Sequence, residues 1–215
     1  MIITIDGGDG VGKTTLATAL CEKYNFIYID KPIHYFLEAK VDENDYRYQI
    51  ASEVQKRAYK STNSNDFKAW FTMMSLIYLR DNLDKDKNYI IDRGLLSSFI
   101  FNGEEATEDI YKLLTKKGVG FDLSIFLDAE IVTRVNRIRR RNPLDEDLNN
   151  KEICSLTADK TVEFATKIEI PFIYIKTDYI NKDGVLVENT IEETFAECEK
   201  ALMKNEKFLK AIKNI

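Results

Sequence analysis

Residues 2–15 read IITIDGGDGVGKTT, in which an apolar, β-branched segment breaks into glycines and then into Gly12-Lys13-Thr14. The apolar segment has the composition of a buried strand, and the glycine-rich part fits the pattern GxxxxGK[ST]. Four glycines allow the backbone to curl so that successive N–H groups point at one phosphate, where larger side chains would block the approach. The stretch therefore predicts a phosphate-binding loop, or P-loop, between a strand and a helix.

The residue types in this loop indicate which ligand it binds. A helix beginning near Lys13 would direct its positive N-terminal dipole at an anion. In this pattern Lys13 reaches the β- and γ-phosphates of a nucleotide and the Thr14 hydroxyl ligates Mg²⁺, which makes ATP and Mg²⁺ the expected cofactors. The expected nucleotide-binding residues are Gly7, Gly8, Asp9, Gly10, Val11, Gly12, Lys13, Thr14 and Thr15. A plain glycine turn is the alternative.

The bulk composition is that of one globular domain. A chain of 215 residues with 44% hydrophobic and 31% charged residues is long enough for a single α/β domain, residues 1–215. The net charge of −5 argues against nucleic acid as a partner, since no excess of Lys and Arg is available to neutralise phosphates. Cys21, Cys154 and Cys198 form no CxxC pair, and no apolar run approaches the length of a membrane span. We therefore expect a cytoplasmic protein with reduced thiols and no membrane partner.

Five short apolar runs predict strands, at residues 2–6, 26–29, 89–91, 123–128 and 170–175. Patterns typical of helices alternate with them, and the clearest lie at 15–24, 67–83, 104–117, 153–167 and 191–202. This alternation indicates the α/β class, with a doubly wound, five-stranded parallel sheet flanked by helices and with ligands at the carboxyl edge of the strands. A polar turn is predicted at 181–184.

A second polar block, Asp92-Arg93, follows the third predicted strand. A carboxylate at the carboxyl edge of a strand beside a P-loop can hold Mg²⁺-bound water or the acceptor, and the next arginine can point at an acceptor phosphate. We therefore expect Asp92, like Thr14, at the metal and Arg93 at the acceptor.

These blocks resemble the thymidylate kinases, a family of P-loop kinases. Residues 5–15 resemble the opening of the bacterial type, and residues 92–103 resemble a block that begins Asp-Arg-Tyr and continues through two serines to an aromatic residue, glutamine and glycine. The resemblance implies that Asp9 binds the 3′-hydroxyl of the acceptor and that Arg93 clamps its phosphate. It also implies an acceptor pocket that contains Ser97, Ser98, Phe101 and Asn102.

The block at residues 92–103 departs from the family pattern at three positions. Gly94 stands where the family has a tyrosine, Phe101 stands where it has a second tyrosine, and Asn102 stands where it has a glutamine. These departures leave the acceptor base open. In related kinases the helix before the third strand adds an aromatic residue that stacks on the base and an arginine that hydrogen-bonds it, for which Phe71 and Arg80 are the candidates. The alternative places Phe71 in the core and Arg80 at the surface.

Two residues near the second strand match the family less well. Lys31 lies where thymidylate kinases have Arg-Glu-Pro-Gly beside the acceptor phosphate, but only Pro32 matches, and an ordinary solvated lysine is an equal alternative. His34 is the only histidine and has no Ser, Cys or carboxylate at a recognisable catalytic spacing, so we expect a loop or packing residue.

The bacterial type lacks a P-loop arginine, and the resemblance implies instead a mobile lid that supplies arginines. The chain has five of them within eight residues after the fourth strand: Arg134, Arg137, Arg139, Arg140 and Arg141. Guanidinium groups at this density repel one another, and a polyphosphate would reverse that balance. We expect an arginine-rich lid at residues 134–150, with Arg137 and Arg141 near ATP. Arg139 or Arg140 would close on the transferred group, and a solvated basic helix is the alternative.

Three functions fit these patterns. The first is transfer of the ATP γ-phosphoryl group to dTMP or a related deoxynucleoside monophosphate, as in dTTP biosynthesis. Its expected catalytic residues are Lys13, Asp9, Asp92, Arg93, Arg139 and Arg141. The second changes the acceptor to a deoxynucleoside, a modified pyrimidine nucleotide or a base in DNA, although deoxynucleoside kinases usually carry Glu-Arg-Ser where this chain has Asp92-Arg93-Gly94. The third is a nucleotide-dependent switch, against which the absence of DxxG outside the P-loop argues. Besides small nucleotide substrates, a second copy is an expected partner, since related kinases are often homodimers.

Overall fold

The computed structural model describes residues 1–32, 35, 49–50, 53, 65–116, 121–145, 148 and 158–213. His34, Cys154 and the start of the helix expected at 153 lie outside these residues. The five predicted strands all lie within them and all form, with ends shifted by two residues at most.

The central sheet consists of five parallel strands. They are β1 (Ile2–Gly7), β2 (Ile27–Ile29), β3 (Tyr89–Asp92), β4 (Leu123–Asp128) and β5 (Phe172–Lys176). Their order is β2-β3-β1-β4-β5, and β1 is buried along its whole length, as its β-branched composition predicts. Ile5 of β1 lies in register with Asp92 of β3. The loops that follow β1 and β3 therefore meet at one edge of the sheet.

Helices cover both faces of this sheet. They are α1 (Lys13–Tyr24), α2 (Asn65–Asn82), α3 (Leu95–Asn102), α4 (Glu104–Lys116), α5 (Ile131–Arg141), α6 (Ala158–Lys167), α7 (Ile191–Leu202) and α8 (Glu206–Lys213). Ile125 of β4 packs into a core with α1, α7 and α8, whereas its neighbour Phe126 packs into a second core with α3 and α6. Because successive strand residues point to opposite faces, the two cores lie on opposite sides of the sheet. The predicted doubly wound fold is confirmed.

The short helix α3 begins immediately after Gly94, where the sequence predicts no helix. Its N-terminus is held by the buried carboxylate of Asp6 in β1, which accepts hydrogen bonds of 2.7 Å from the backbone N–H groups of Gly94 and Ser97. The hydroxyl groups of Thr4 and Ser124 donate to the other carboxylate oxygen, at 2.8 and 2.7 Å. The acidic cap thus comes from a distant strand and satisfies N–H groups that a helix start leaves unpaired.

A small antiparallel hairpin, β6 (Asp178–Ile180) and β7 (Leu186–Glu188), follows the central sheet. The predicted turn at 181–184 connects its strands, where the Asn181 side chain accepts from the backbone N–H groups of Asp183 and Val185. The sequence analysis missed the two strands, which are only three residues each. Among the helices of the described part, none combines the length and the apolar character needed to cross a membrane.

Candidate active site

The P-loop connects β1 to α1 and turns through two glycines in the left-handed region. Gly10 has φ 82° and Gly12 has φ 95°, values that a residue with a side chain rarely adopts. The loop lines a cavity of about 760 Å³ at the carboxyl edge of the sheet, a volume typical of ligand-binding pockets. Its lining residues are Asp9, Gly10, Gly12, Lys13, Thr14, Thr15, Tyr28, Asp30, Lys31, Asp92, Arg93, Arg137, Ile138 and Arg141.

Lys13 is the buried cation of this cavity. Its Nζ donates a 2.7 Å hydrogen bond to the carbonyl of Gly8 and lies 3.9 Å from the Asp9 carboxylate. Burial and then the Arg93 guanidinium lower the pKa of Lys13 to about 8, although nearby carboxylates oppose them. A phosphate entering the loop would replace a neutral carbonyl partner with an anion and would favour the charged lysine.

Thr14 and Asp92 lie together as expected of a metal site. The Thr14 hydroxyl donates to Asp92 Oδ2 at 2.8 Å, and the hydroxyl of Tyr28 donates to the same oxygen at 3.2 Å. Asp92 Oδ1 is buried and accepts no hydrogen bond from the described residues. Mg²⁺ prefers hard oxygen ligands and usually takes one or two carboxylates together with water and phosphate, so this pair fits the ion.

Tyr28 was missed by the sequence analysis because its partner Asp92 is 64 residues away. Burial and the neighbouring carboxylate of Asp92 raise the pKa of Tyr28. The tyrosine is therefore a neutral hydrogen-bond donor that fixes one oxygen of Asp92 and leaves the other unpaired.

Asp9 and Arg93 form an ion pair across the edge of the sheet. The Arg93 guanidinium donates to Asp9 Oδ1 at 2.5 Å and lies 4.8 Å from the centre of the Phe101 ring. Burial alone would raise the pKa of Asp9, but Arg93 and Lys13 outweigh burial and lower it to about 2. Arg93 has φ 81°, a strained backbone conformation of the kind that concentrates at functional sites.

A second, smaller cavity of about 60 Å³ adjoins the first and shares Lys31 and Arg93 with it. Its lining residues are Lys31, Pro32, Phe71, Thr72, Ser75, Arg93, Gly94, Ser97, Ser98, Phe101 and Asn102. The structure thus brings together five of the residues expected in the acceptor pocket with Arg93. The volume is far below the ~300 Å³ of a typical small-molecule site, so a bound acceptor would require the lining side chains to move.

The polar residues of this smaller cavity have unused hydrogen-bonding capacity. Asn102 donates through Nδ2 to Ser98 Oγ at 3.0 Å, while Asn102 Oδ1 and Ser97 Oγ are buried without a partner in the described part of the chain. Buried polar groups are normally satisfied, so these atoms suit a polar ligand. A Cβ atom at Gly94 would lie 2.6 Å from Thr4 Cβ, which explains why the tyrosine of the family pattern cannot occupy this backbone.

Arg80 does not line the smaller cavity, where the acceptor is expected. It lies five residues after Ser75, the last residue of α2 that lines the cavity. Arg80 is half-buried, and its Nε has no hydrogen-bond partner among the described residues. The structure therefore brings only Phe71 of this expected pair to the cavity.

The five arginines lie on α5, directly beside the P-loop. Arg137 and Arg141 line the larger cavity, and Arg141 also donates to Asp145 at 2.8 Å. Arg140 donates to Glu188 of the hairpin at 2.5 Å, and Arg139 is exposed and lines neither cavity. Of the expected lid, residues 134–145 and 148 are described, and the closing movement stays a prediction.

Relatives matched by sequence are nucleoside or nucleotide kinases, and the solved structures that share the fold also include a gluconokinase and a shikimate kinase. The family model "Thymidylate kinase" matches residues 5–179. The deoxyguanosine kinase of Bacillus subtilis (strain 168) is 25% identical over an alignment that covers 94% of this chain and 97% of that protein. Several solved structures share the fold.

One of them is a thymidylate kinase from Ehrlichia chaffeensis, with a TM-score of 0.55, 19% identity and coverage of 94% of this chain and 98% of that chain. Another is a deoxyadenosine kinase from M. mycoides with bound dATP, with a TM-score of 0.54, 20% identity and coverage of 94% and 100%. The protein is a nucleoside or nucleotide kinase, and because the family model matches most of its length, the chain belongs to the thymidylate kinase family.

Proposed function

We propose that this protein transfers the γ-phosphoryl group of Mg²⁺·ATP to a deoxynucleoside monophosphate, with dTMP as the first candidate. The observation that carries the proposal is the charge of the smaller cavity, whose described lining includes two cations, Lys31 and Arg93, and no carboxylate. A phosphate on the acceptor would lie against these cations. A neutral hydroxyl acceptor would instead need a base, and none of the lining residues that the structure describes is an acid.

The two nearest carboxylates are poorly suited to act as that base. Asp9 has a pKa of about 2 and is bonded to Arg93, so it holds a proton only weakly. Asp92 lines the larger cavity and not the smaller one, and its Oδ2 accepts from Thr14 at the proposed metal site. Both carboxylates therefore favour an acceptor that arrives as an anion.

The proposed catalysis is positioning and charge neutralisation. Lys13 and Arg141, which both line the larger cavity, would stabilise the transferred phosphoryl group, and Thr14 and Asp92 would hold Mg²⁺. The ion, when bound, would neutralise charge on the β- and γ-phosphates. Asp9 would orient the deoxyribose and Arg93 the acceptor phosphate. Arg139 is exposed, so its proposed contact with the phosphoryl group requires the end of α5 to move.

A deoxynucleoside acceptor is the second candidate. It is favoured by the names of the relatives, since a deoxyguanosine kinase and a deoxyadenosine kinase both resemble this chain over more than nine tenths of its length. The free Oδ1 of Asp92 could then take the hydroxyl proton.

The test is ADP release from Mg²⁺·ATP with dTMP, dCMP, dGMP, dAMP, the matching deoxynucleosides and a DNA oligonucleotide. We expect a monophosphate, first of all dTMP, to give the highest kcat/KM. Turnover with a deoxynucleoside but not with its monophosphate would replace the first proposal with the second. Lys13→Met is the matched background control, because it should abolish acceptor-stimulated release.

A homodimer belongs to this proposal as well. Phe67, Trp70 and Met74 are exposed and spaced three and four residues apart, so they form an apolar stripe on one face of α2. Light scattering after size exclusion should give twice the chain mass for the wild type. A monomer at micromolar concentration would contradict this part.

We also propose a cytoplasmic location, because the described cysteines form no disulfide. Cys21 and Cys198 are free thiols, and burial raises the pKa of each to about 12. Thiols that stay protonated are inert packing groups, as in proteins of a reducing compartment.

A further inference from the structure

Two arginines of α5 contact backbone carbonyls of the P-loop. Arg134 Nε donates a 2.8 Å hydrogen bond to the carbonyl of Asp9. Arg137 NH1 makes longer contacts of 3.4 Å with the carbonyls of Gly10 and Val11. Arg137 makes its shorter hydrogen bonds, of 2.8 Å, to Thr177. Arg134 therefore makes the shortest contact from α5 to these three consecutive carbonyls.

The direction of these carbonyls decides the direction of the loop N–H groups. A peptide unit is planar and trans, so the carbonyl of one residue and the N–H of the next point in opposite directions. Holding the carbonyls of Asp9, Gly10 and Val11 toward α5 directs the following N–H groups the other way. A cation on a carbonyl also polarises the peptide and strengthens its N–H as a donor.

Arg134 of α5 packs closely against two glycines of the P-loop. Arg134 is only 8% exposed, and a buried arginine normally has a hydrogen-bond or ion-pair partner. A Cβ atom at Gly8 would lie 2.3 Å from Arg134 NH2, and one at Gly10 would lie 2.7 Å from the Arg134 carbonyl oxygen. Gly8 has no positive φ, so its lack of a side chain makes room for the guanidinium.

We propose that Arg134 is a positioning residue that holds the P-loop in its nucleotide-binding form from the side opposite the phosphates. This inference rests on the proposed binding of a nucleotide phosphate by the loop. It assigns a role to an arginine that the sequence analysis had counted only as part of a lid. Arg134 does not line the larger cavity, so its effect on the nucleotide passes through the loop backbone.

The first test measures Mg²⁺·ADP binding and acceptor binding by calorimetry for the wild type and for Arg134→Met. Loss of one charged hydrogen bond to the loop should weaken ADP binding by about tenfold. The acceptor dissociation constant should change less than the ADP dissociation constant, because Asp9 is the one proposed acceptor contact that lies on the loop and the lining residues of the smaller cavity come from other elements. Lys167→Met, which removes an exposed cation of α6, is the control and should match the wild type.

The second test displaces Arg134 without replacing it. Gly8→Ala places a methyl group where the guanidinium lies and should also weaken ADP binding by about tenfold. In an Arg134→Ala background the same Gly8→Ala change should cost less than about twofold, since the clash is gone. Hydrogen exchange at the amides of Gly10 and Gly12 should be faster in both single variants than in the wild type.

Three outcomes would overturn the proposal. They are wild-type ADP affinity in Arg134→Met, wild-type ADP affinity in Gly8→Ala, and an equal loss of ADP and acceptor binding in step with a lower thermal midpoint. If Arg134→Met does not fold, Gly8→Ala decides. If the wild type itself fails to bind ADP, the proposed function fails rather than the role of Arg134.

Discussion

The Arg93 guanidinium donates a 2.5 Å hydrogen bond to the carboxylate of Asp9, which lies 84 residues earlier in the chain. The two residues follow β3 and β1, which are neighbours in the sheet. Arg93 lines both cavities, and Asp9 lines the larger one. This ion pair therefore lies where the larger and the smaller cavity meet. ATP in the larger cavity and the acceptor in the smaller one would each contact one member of the pair or both.

The coupling between Asp9 and Arg93 can be measured with Asp9→Asn, Arg93→Met and the double variant. We expect a coupling of about 0.5–3 kcal/mol in the free energy of unfolding at pH 7, because the partners share a short, partly buried contact. The folded-state pKa of Asp9 is below its ordinary value, so its contribution is present above about pH 4 and is lost as the pH falls toward 2. Urea unfolding at several pH values measures the coupling energy and its dependence on pH. If the effects of the two single variants simply add up in the double variant, the predicted coupling is wrong.

Lys13→Met should lower turnover by at least about 100-fold, because it removes a preorganised charge from the phosphoryl group. The thermal midpoint should change little or rise, since the buried ammonium is desolvated in the folded protein. A coupled assay of ADP release and differential scanning fluorimetry provide the two readouts. Lys112→Met, at an exposed cation of α4, is the control. Near-normal turnover would remove Lys13 from the mechanism.

Nucleotide affinity should depend on pH through Lys13. Its pKa is about 8 without nucleotide, and the charged form is the one that binds phosphate. As the pH rises through this pKa, Lys13 loses its proton, and binding must then take a proton back up. The ADP dissociation constant should therefore rise by about tenfold from pH 7 to pH 9. Calorimetry in two buffers of different ionisation enthalpy would detect the proton uptake. The profile should be flat in Lys13→Met, and a flat profile in the wild type would contradict the prediction.

Asp92→Asn should raise the Mg²⁺ concentration for half-maximal turnover by about 10- to 100-fold. The variant removes the charge of a carboxylate whose Oδ1 has no partner among the described residues. Tyr28→Phe is the matched comparison, because it removes only a hydrogen bond to Oδ2 and should have a smaller effect. Turnover is measured across a Mg²⁺ series at saturating ATP. An unchanged requirement in Asp92→Asn would place Asp92 at the acceptor instead.

Much of the fold could be predicted because its signals are local. The β-branched run of β1, the glycines and Gly12-Lys13-Thr14 are neighbours in the chain, and their order alone specifies a strand, a loop and a helix. The same holds for the other strands, which are short apolar runs between polar turns. The helix α3 had no such signal, because Asp6, the acid that caps it, belongs to another strand.

The amino-acid sequence by itself determined the α/β class, the P-loop and the block around Asp92 and Arg93 that identifies the family. Only the tertiary structure decided that Arg93 pairs with Asp9, that Arg134 contacts the loop backbone and that Arg80 does not line the smaller cavity. The physical reason is the range of the interactions. Strand and loop propensities depend on adjacent residues, whereas these contacts depend on the order of the strands in the sheet and on how each helix packs against it.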